Sequence, residues 1–211
     1  MARRPLTKPR KHATQQRSRA TVDALVEATA RLLAREGFEK ATTNRIADVA
    51  GVSIGSLYQY FPSKEALVAA VMVRESEETM RVVRDAIADV ATLSLEEAVR
   101  RLVAVAIEAH QVDPNLHRVL SEEIPRTGSL EGVQAFNREV YTLFRRYMES
   151  HGAEIRRIDP EVAAFVCVTS IEAIAHTAVL HHHERVTGEG TKTLIDEATH
   201  LIVGYLRRPP G

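Results

Sequence analysis

Apolar residues recur every three or four positions along most of this 211-residue chain, which is the spacing of one face of an α-helix. The first such pattern extends from Val22 to Leu33 and predicts a helix over about 18–36, with Gly37 as its C-terminal stop. No segment alternates apolar and polar residues over the length of a strand. The pattern therefore predicts an all-α fold of about nine helices.

The second half of the chain keeps this helical period. Apolar residues recur from Leu95 to Ile107, and a shorter pattern extends from Leu116 to Ile124. Pro160 opens a helix predicted over 160–184, which is apolar on nearly every side, and the last helix is predicted over 191–207. We therefore predict no sheet in this half either.

Residues 42–61 predict two short helices joined by a turn. A threonine cap begins the first helix, Gly51 ends it, and Ser53 caps the second. Gly51 permits the backbone to bend, and Ala47 lets the two helices approach closely. This arrangement predicts a helix-turn-helix, although the same spacing is common in all-α proteins that do not bind DNA.

The charges of the chain are unevenly distributed. The whole chain has 28 basic and 28 acidic side chains, but residues 1–65 carry 12 basic and 6 acidic ones, so the remainder is acidic. The first 19 residues contain seven arginines or lysines and no acidic residue. Residues 1–17 have almost no apolar side chains, which predicts a disordered basic tail. The division into a basic and an acidic part indicates two separate roles.

The outer face of the second short helix suits the major groove of DNA. Small side chains on such a face let the helix backbone approach base edges. Tyr58, Tyr60 and Lys64 flank it with groups suited to phosphate, and Thr42 and Thr43 add hydroxyls at a helix N-terminus. The face itself consists of Ser53, Ile54, Gly55, Ser56 and Gln59.

Residues 42–67 combine a threonine pair, a glycine turn, a Leu-Tyr-x-Tyr-Phe motif and a lysine. The segments are Thr42-Thr43-Asn44-Arg45-Ile46-Ala47, Ala50-Gly51-Val52-Ser53, Leu57-Tyr58-Gln59-Tyr60-Phe61 and Lys64-Glu65-Ala66-Leu67. This combination resembles the DNA-binding domain of the TetR family of transcriptional regulators over about 18–68. The resemblance implies a DNA-binding domain at 18–65 and an effector-binding and dimerisation domain at 66–211.

The resemblance also implies a role for individual residues of the motif. Those expected to meet phosphates or base edges of an operator in double-stranded DNA are Thr42, Thr43, Asn44, Arg45, Ser53, Ile54, Gly55, Ser56, Tyr58, Tyr60 and Lys64. Ile54 would pack on a thymine methyl group, whereas Leu57 and Phe61 would belong to the core. Ile54 and Gly55 are apolar where some relatives carry polar groups, so the operator sequence stays open.

The last two predicted helices form the candidate dimer interface. Apolar and small residues mark both helices, namely Ala163, Ala164, Cys167, Ile171, Ala175, Ala178 and Val179 on the first and Leu194, Ala198, Leu201, Ile202 and Tyr205 on the second. Two such helices and their symmetry mates predict a four-helix interface of a homodimer. A purely intramolecular core is the alternative. Family members pair through their last two long helices, which favours the dimer.

The resemblance implies a cavity in the second domain for an unknown small-molecule effector. Its candidate lining residues are Met72, His117, Phe136, Tyr141, Phe144, Met148 and Phe165. Aromatic residues and methionines at helical spacing are also typical of an ordinary core, and that alternative stays open. The implied function is a repressor that an effector releases from DNA, because binding favours a wrongly spaced dimer.

The histidines of the second half raise the question of a metal site. Consecutive side chains on a helix point about 100° apart, so at most two of His181, His182 and His183 converge on one point. A zinc site needs three or four ligands, so we predict no metal and favour surface or interface histidines, with pH sensing as one option. The alternative function is a small helical enzyme or metal-binding protein that uses these histidines.

Other classes of protein are not indicated. The chain has no P-loop, no dinucleotide fingerprint and no Gly-x-Ser-x-Gly motif, so we predict neither an enzyme nor a cofactor. We also identify no apolar run that approaches the roughly 18–20 residues of a membrane span, and no secretory signal. The single cysteine, Cys167, cannot form an internal disulfide. The expected location is the cytoplasm, without membrane association.

Overall fold

The computed structural model describes residues 16–90, 92–123 and 130–208, with the side chains of all of these except 16–17 and 130–137. Within these ranges the chain forms nine α-helices, and the one extended feature is an isolated antiparallel bridge between Ile155 and Arg207. The helices are α1 (Gln16–Lys40), α2 (Thr43–Ala50), α3 (Ile54–Tyr60), α4 (Lys64–Val90), α5 (Leu95–Gln111), α6 (Pro114–Arg118), α7 (Leu130–Ser150), α8 (Pro160–His181) and α9 (Glu189–Leu206). The predicted all-α fold is thus confirmed.

The predicted ends of the helices agree with the observed ends to within a few residues where a capping residue, a glycine or a proline marks them. Gly37, the predicted stop of α1, has a φ of 79°, and the helical hydrogen bonding resumes beyond it as far as Lys40. The helix predicted from Leu116 to Ile124 is instead α6 followed by a π-helical turn, Val119–Glu123, which the wider hydrogen-bonding pattern distinguishes. Ile124 and residues 1–15 of the tail predicted at 1–17 lie outside the described residues. Gln16 and Arg17 already belong to α1, so the predicted end of the tail at residue 17 is wrong.

The chain divides into two compact units. Unit 1 comprises the described residues up to Glu77 together with those between Asn115 and Val133. Unit 2 comprises Glu78–Pro114 and the described residues from Gln134 onwards. The predicted boundary at residue 65 therefore differs from the observed one, because the first half of α4 and the segment after Pro114 group with the N-terminal helices.

The core of unit 1 fixes the three N-terminal helices. Leu25, Leu33, Ile46, Leu57 and Phe61 are fully or almost fully buried there. The first turns of α4 add buried apolar residues to the same core, and so does the segment that follows Pro114. Close packing of these buried side chains holds α2 and α3 at a fixed angle.

The core of unit 2 is built by α5, α7, α8 and α9. The apolar and small residues of α8 that the sequence assigned to a dimer interface are buried inside this unit: Ala163, Ala164, Cys167, Ile171, Ala175, Ala178 and Val179. Ala198 and Ile202 of α9 are buried with them. For these residues the intramolecular alternative is correct, and the assignment to the interface is wrong.

The prediction that no apolar run approaches the length of a membrane span is wrong for helix α8. It has 22 residues and is apolar enough, by length and composition, to cross a membrane. The seven residues that it buries pack in the core of unit 2, and buried core helices meet the same criterion. Length and composition of α8 therefore do not by themselves indicate a membrane protein.

Candidate nucleic-acid interface

The turn between α2 and α3 follows directly from the local sequence. Gly51 adopts a left-handed backbone conformation with φ of 68°, which glycine tolerates without steric cost. The N–H groups of Gly51 and Val52 donate to the carbonyls of Asp48 and Ala47 at 3.1 and 3.0 Å. The end of α2 is thus capped, and the chain re-enters a helix only three residues later.

Side-chain hydroxyls cap the start of both short helices. The hydroxyl of Thr42 accepts from the backbone N–H of Arg45, and that of Ser53 accepts from the N–H of Ser56 at 3.1 Å. The Ser53 and Ser56 hydroxyls also lie 2.9 Å apart. These caps satisfy N–H groups that a helix leaves unpaired in its first turn.

Helix α3 separates an exposed face from a buried one. Ser53, Ile54, Gly55, Tyr58 and Gln59 are exposed, and Ser56 is half-buried beside them. Leu57 and Phe61 are in the core, as the sequence predicted. An outer surface of small side chains is thereby held on a rigidly packed helix.

Tyr58 joins the two helices at this surface. Tyr58 is 42% exposed, and its hydroxyl lies 3.1 Å from the hydroxyl of Thr43. Either oxygen can donate in this pair, so the other retains a hydrogen for an external acceptor. The two hydroxyls therefore form one polar position between the start of α2 and the middle of α3.

Tyr60 and Lys64, which were predicted to contact phosphate, both have partners inside unit 1 in the free protein. Tyr60 is only 8% exposed and belongs to the core of unit 1. The ammonium of Lys64 donates to the carbonyl of Phe38 at 2.9 Å and lies 3.8 Å from the centre of the Phe38 ring. Both side chains therefore stabilise unit 1 itself, because each is directed to internal partners.

Arg45 is exposed on α2 but is engaged within the chain. Its guanidinium pairs with the carboxylate of Glu36 near the end of α1, with Nη2 and Oε1 2.6 Å apart. Asn44 is exposed beside it. The cation that the sequence assigned to DNA is thus shared with an internal carboxylate, a partner that sequence reasoning missed because it lies on another helix.

A second carboxylate missed by sequence reasoning binds the end of α1. Glu123, in the π-helical turn, accepts from the backbone N–H of Phe38 at 3.0 Å and from Arg118 at 2.6 Å. The hydrogen bond from Phe38, followed by that from Arg118, holds the pKa of Glu123 below its ordinary value. A Cβ at Gly37 would lie 2.8 Å from Oε2 of Glu123, so a larger residue there would have to displace this carboxylate. The positive φ of 79° independently favours glycine at this position.

The candidate effector residues do not share one environment. Met72 and His117 belong to unit 1, where Met72 packs against the core, and the side chain of Phe136 lies outside the described residues. Phe144 and Met148 are buried in the core of unit 2, as the alternative of an ordinary core predicted. Tyr141 is half-buried, and its ring centre lies 6.1 Å from that of Phe165, which is 56% exposed.

The outer surfaces of α8 and α9 retain large apolar side chains. Val162 and Phe165 on α8 and Leu201 on α9 are each more than half exposed. Thr169, Ala173 and Thr177 continue the exposed side of α8 at helical spacing. Since α8 also fills the core with its opposite side, it is apolar on both.

Comparisons with known proteins identify the family. A family profile described as "Tetracyclin repressor-like, C-terminal domain" matches residues 94–206, and one described as "Bacterial regulatory proteins, tetR family" matches residues 25–71. Together they include α2, α3 and all of α5, α8 and α9.

Individual relatives match over smaller parts. The nucleoid occlusion factor SlmA of Haemophilus ducreyi is 28% identical over 117 residues, which are 56% of this chain and 55% of that protein. An uncharacterized HTH-type transcriptional regulator of Mycobacterium tuberculosis is 34% identical over 99 residues, 47% of each chain. The chain thus spans about half the length of these curated relatives.

The fold is shared with solved structures along nearly the whole chain. NalD, the secondary repressor of the MexAB-OprM multidrug efflux pump in Pseudomonas aeruginosa, superposes with a TM-score of 0.67 at 16% identity, covering 93% of this chain and all of that one. At this identity the likeness establishes the fold alone. With the profile that matches more than half of its residues, the chain belongs to the TetR family of bacterial transcriptional regulators, and α2 and α3 are its helix-turn-helix.

Proposed function

We propose that this protein is a homodimeric repressor that binds an operator in double-stranded DNA and is released by a small-molecule effector. The observation that carries the proposal is the outer face of α3, where exposed small residues stand on a helix locked by Leu57 and Phe61. A helix of this kind enters the major groove, where base edges can be distinguished. An operator lies on the chromosome, so we also infer a cytoplasmic protein.

The residues of the surface divide into two groups by chemistry. Ser53, Gly55 and Ser56 are small enough for the backbone of α3 to approach base edges, and Ile54 offers an apolar contact to a thymine methyl group. The phosphate contacts are assigned to the start of α2 and to Tyr58, because hydroxyls, an amide and a guanidinium are exposed there. The exposed residues are Thr42, Asn44, Arg45 and Tyr58. Thr43 is included although it is half-buried, because its hydroxyl lies beside that of Tyr58.

The dimer is proposed to form through the outer surfaces of α8 and α9 rather than through the buried residues. Val162, Phe165 and Leu201 are large, apolar and more than half exposed. Isologous pairing of these surfaces would remove them from water, and it would supply the second recognition helix that two half-sites require. No membrane is part of this proposal.

Release by an effector is the part of the proposal that is supported mainly by membership of the TetR family. NalD, which shares the fold, is named as a repressor of an efflux pump. The effector is placed in unit 2 because unit 1 contains the helix-turn-helix. Its binding would shift the population towards a dimer whose recognition helices are wrongly spaced.

Gly55→Ala is the sharpest test of the DNA surface. The nearest atom to an added Cβ is the Ser53 hydroxyl oxygen, at 3.9 Å, so the free protein accommodates the methyl group. Alanine also favours a helix over glycine by about 1 kcal/mol. We expect unchanged or higher thermal stability together with weaker binding to the specific operator, because the methyl group would lie between the helix and the base edges.

The measurement is fluorescence anisotropy on the chain's own upstream DNA and on a scrambled duplex of equal length. Tyr58→Phe, which removes one hydroxyl, should weaken binding to both duplexes alike, since phosphates carry no sequence information. Operator binding by Gly55→Ala that equals wild type would contradict the placement of α3 in the groove.

A further inference from the structure

Gln59 lies on the outward side of α3, one helical turn after Gly55. Successive residues of a helix are rotated by about 100°, so residues four apart share a face. Leu57 and Tyr60 of the same helix are buried, and by this rotation Gln59 points at least about 100° away from both. Gly55 and Gln59 are therefore next to each other on the side of α3 that faces away from the core.

The amide of Gln59 is available to an external partner. No hydrogen bond joins it to another residue of the described chain. The hydroxyl of Ser53 lies 2.9 Å from that of Ser56. The hydroxyl of Tyr58 lies 3.1 Å from that of Thr43. Gln59 is thus the one long side chain of α3 whose donor and acceptor are both unpaired within the described residues.

Gly55 leaves room for this amide beside the helix backbone. The Cα–Cβ bonds of a helix tilt towards its N-terminus, so a long side chain covers the turn that precedes its own Cα. For Gln59 this turn contains Gly55, where the nearest atom to an added Cβ is the Ser53 hydroxyl oxygen, at 3.9 Å. The amide has space over Gly55, in a position that does not hold the helix away from the floor of a groove.

A primary amide distinguishes adenine from the other bases in the major groove. Its oxygen accepts from the N6 amino group, and its N–H donates to N7 of the same base. Guanine presents two acceptors and cytosine a single donor, so neither base satisfies both halves of the amide. We propose that Gln59 reads one adenine in each half-site of the operator, a role that rests on the proposed function because it requires α3 in the major groove.

The test is selection from a pool of duplexes in which the base pairs of the chain's own upstream DNA are partly randomised. The purified full-length protein binds the pool, and sequencing of the bound fraction gives the base preference at every position. Gln59→Met keeps the length of the side chain without its amide. One adenine preference per half-site should disappear in this variant while the others remain. The expected loss of discrimination is about 5- to 150-fold, the range of one bidentate contact.

Gln59→Glu is the matched variant, since a carboxylate has the shape of the amide but only acceptors. The preference at the same position should change from adenine to cytosine, whose N4 amino group donates in the major groove. Repulsion from phosphate lowers the affinity of this variant for every duplex alike, so the ratio between two bases is compared. Gln59 is exposed, so both variants should fold.

Replacement of the selected adenine by 7-deazaadenine removes the N7 acceptor alone. The wild type should lose about two- to tenfold in affinity, the order of one hydrogen bond, whereas Gln59→Met should lose nothing. Anisotropy titrations with the two duplexes measure the difference. Equal losses in both proteins would overturn the contact between Gln59 and N7.

The result of the selection separates the role of Gln59 from the proposed function. If the wild type selects no sequence, both are overturned. If Gln59→Met keeps every base preference of the wild type, or binds all sequences more weakly by the same factor, only the role of Gln59 is overturned. Loss of a preference for a base other than adenine would likewise overturn that role alone.

Discussion

The guanidinium of Arg45 has two competing partners in the proposed function. Within the chain it pairs with Glu36, whose side chain is mostly buried while that of Arg45 is half exposed. On DNA it would meet phosphate, and one cation cannot satisfy both anions fully. The pair therefore lowers the free energy that Arg45 can contribute to binding.

Glu36→Gln should consequently strengthen binding to any duplex. Exposed ion pairs are worth about 0.2–1 kcal/mol, so we expect a gain of up to about fivefold. Anisotropy titrations at several salt concentrations measure it, on operator and scrambled duplexes alike. Glu39→Gln is the matched control, since it removes the same charge from an exposed residue at the same end of α1. Equal effects of the two variants would show that net charge, not the pair, limits binding.

Cys167 reports on the integrity of unit 2. It is the single cysteine of the chain and is fully buried, and this burial raises its pKa to about 12. A protonated, inaccessible thiol does not attack disulfide reagents. We expect negligible modification in native buffer and full modification in denaturant, measured by absorbance with Ellman's reagent. Rapid reaction of the native protein would contradict the described packing of α8.

At the scale of elements, the π-helical turn Val119–Glu123 is fastened to the end of α1. Glu123 accepts from Phe38 and Arg118, and Gly37 provides the space for its carboxylate. The turn also contributes Val119, which is buried in the core of unit 1, and Leu120, which packs against that core. A single carboxylate thus joins two segments that are far apart in sequence.

Glu123→Ala should destabilise unit 1 at neutral pH by about 1 kcal/mol, the order of a hydrogen bond to a charged group that is partly exposed. The pKa of Glu123 is lowered in the folded chain, so its contribution is present above the ordinary value of 4.5 and is lost as the pH falls through the folded value. The difference in melting temperature from wild type should accordingly shrink from pH 7 to pH 3. Glu122→Ala removes the same charge one residue away, and a pH dependence equal to that of Glu123→Ala would contradict the argument.

At the scale of the whole molecule, the exposed apolar surface of α8 and α9 is what requires a partner in the proposed dimer. Phe165 and Leu201 are 56% and 58% exposed, whereas most other large apolar side chains of unit 2 are buried or half-buried. Because these two residues do not fill the core, a charge in their place does not threaten the folding of the monomer. Their variants therefore test assembly separately from stability.

Leu201→Asp and Phe165→Asp should each yield a folded monomer with collapsed operator affinity. Burying an unpaired carboxylate in an interface costs several kcal/mol, and a monomer presents a single recognition helix. Sedimentation velocity and anisotropy measure the two effects. Val112→Asp is the control, since Val112 is 84% exposed and lies outside both helices. A normal dimer in both interface variants would show that the interface lies elsewhere.

The sequence by itself determined what local interactions control. The caps at Thr42 and Ser53, the left-handed Gly51 and the helical interruption at Gly37 depend on residues within four positions, so they could be read directly from the chain. The same holds for the all-α fold and for the separation of Leu57 and Phe61 from the exposed residues of α3, because helical spacing fixes the relative directions of neighbouring side chains.

Only the tertiary structure decided which partner each side chain meets. Helix α8 is apolar on both sides, so its periodicity could not tell the core residues from the exposed ones. The partners of Arg45 and Lys64 lie on other elements. The same is true of His110, whose partner Glu172 is 62 residues further along the chain. Helical spacing orients a side chain within its own helix, but its neighbours across the interface are set by how the helices pack.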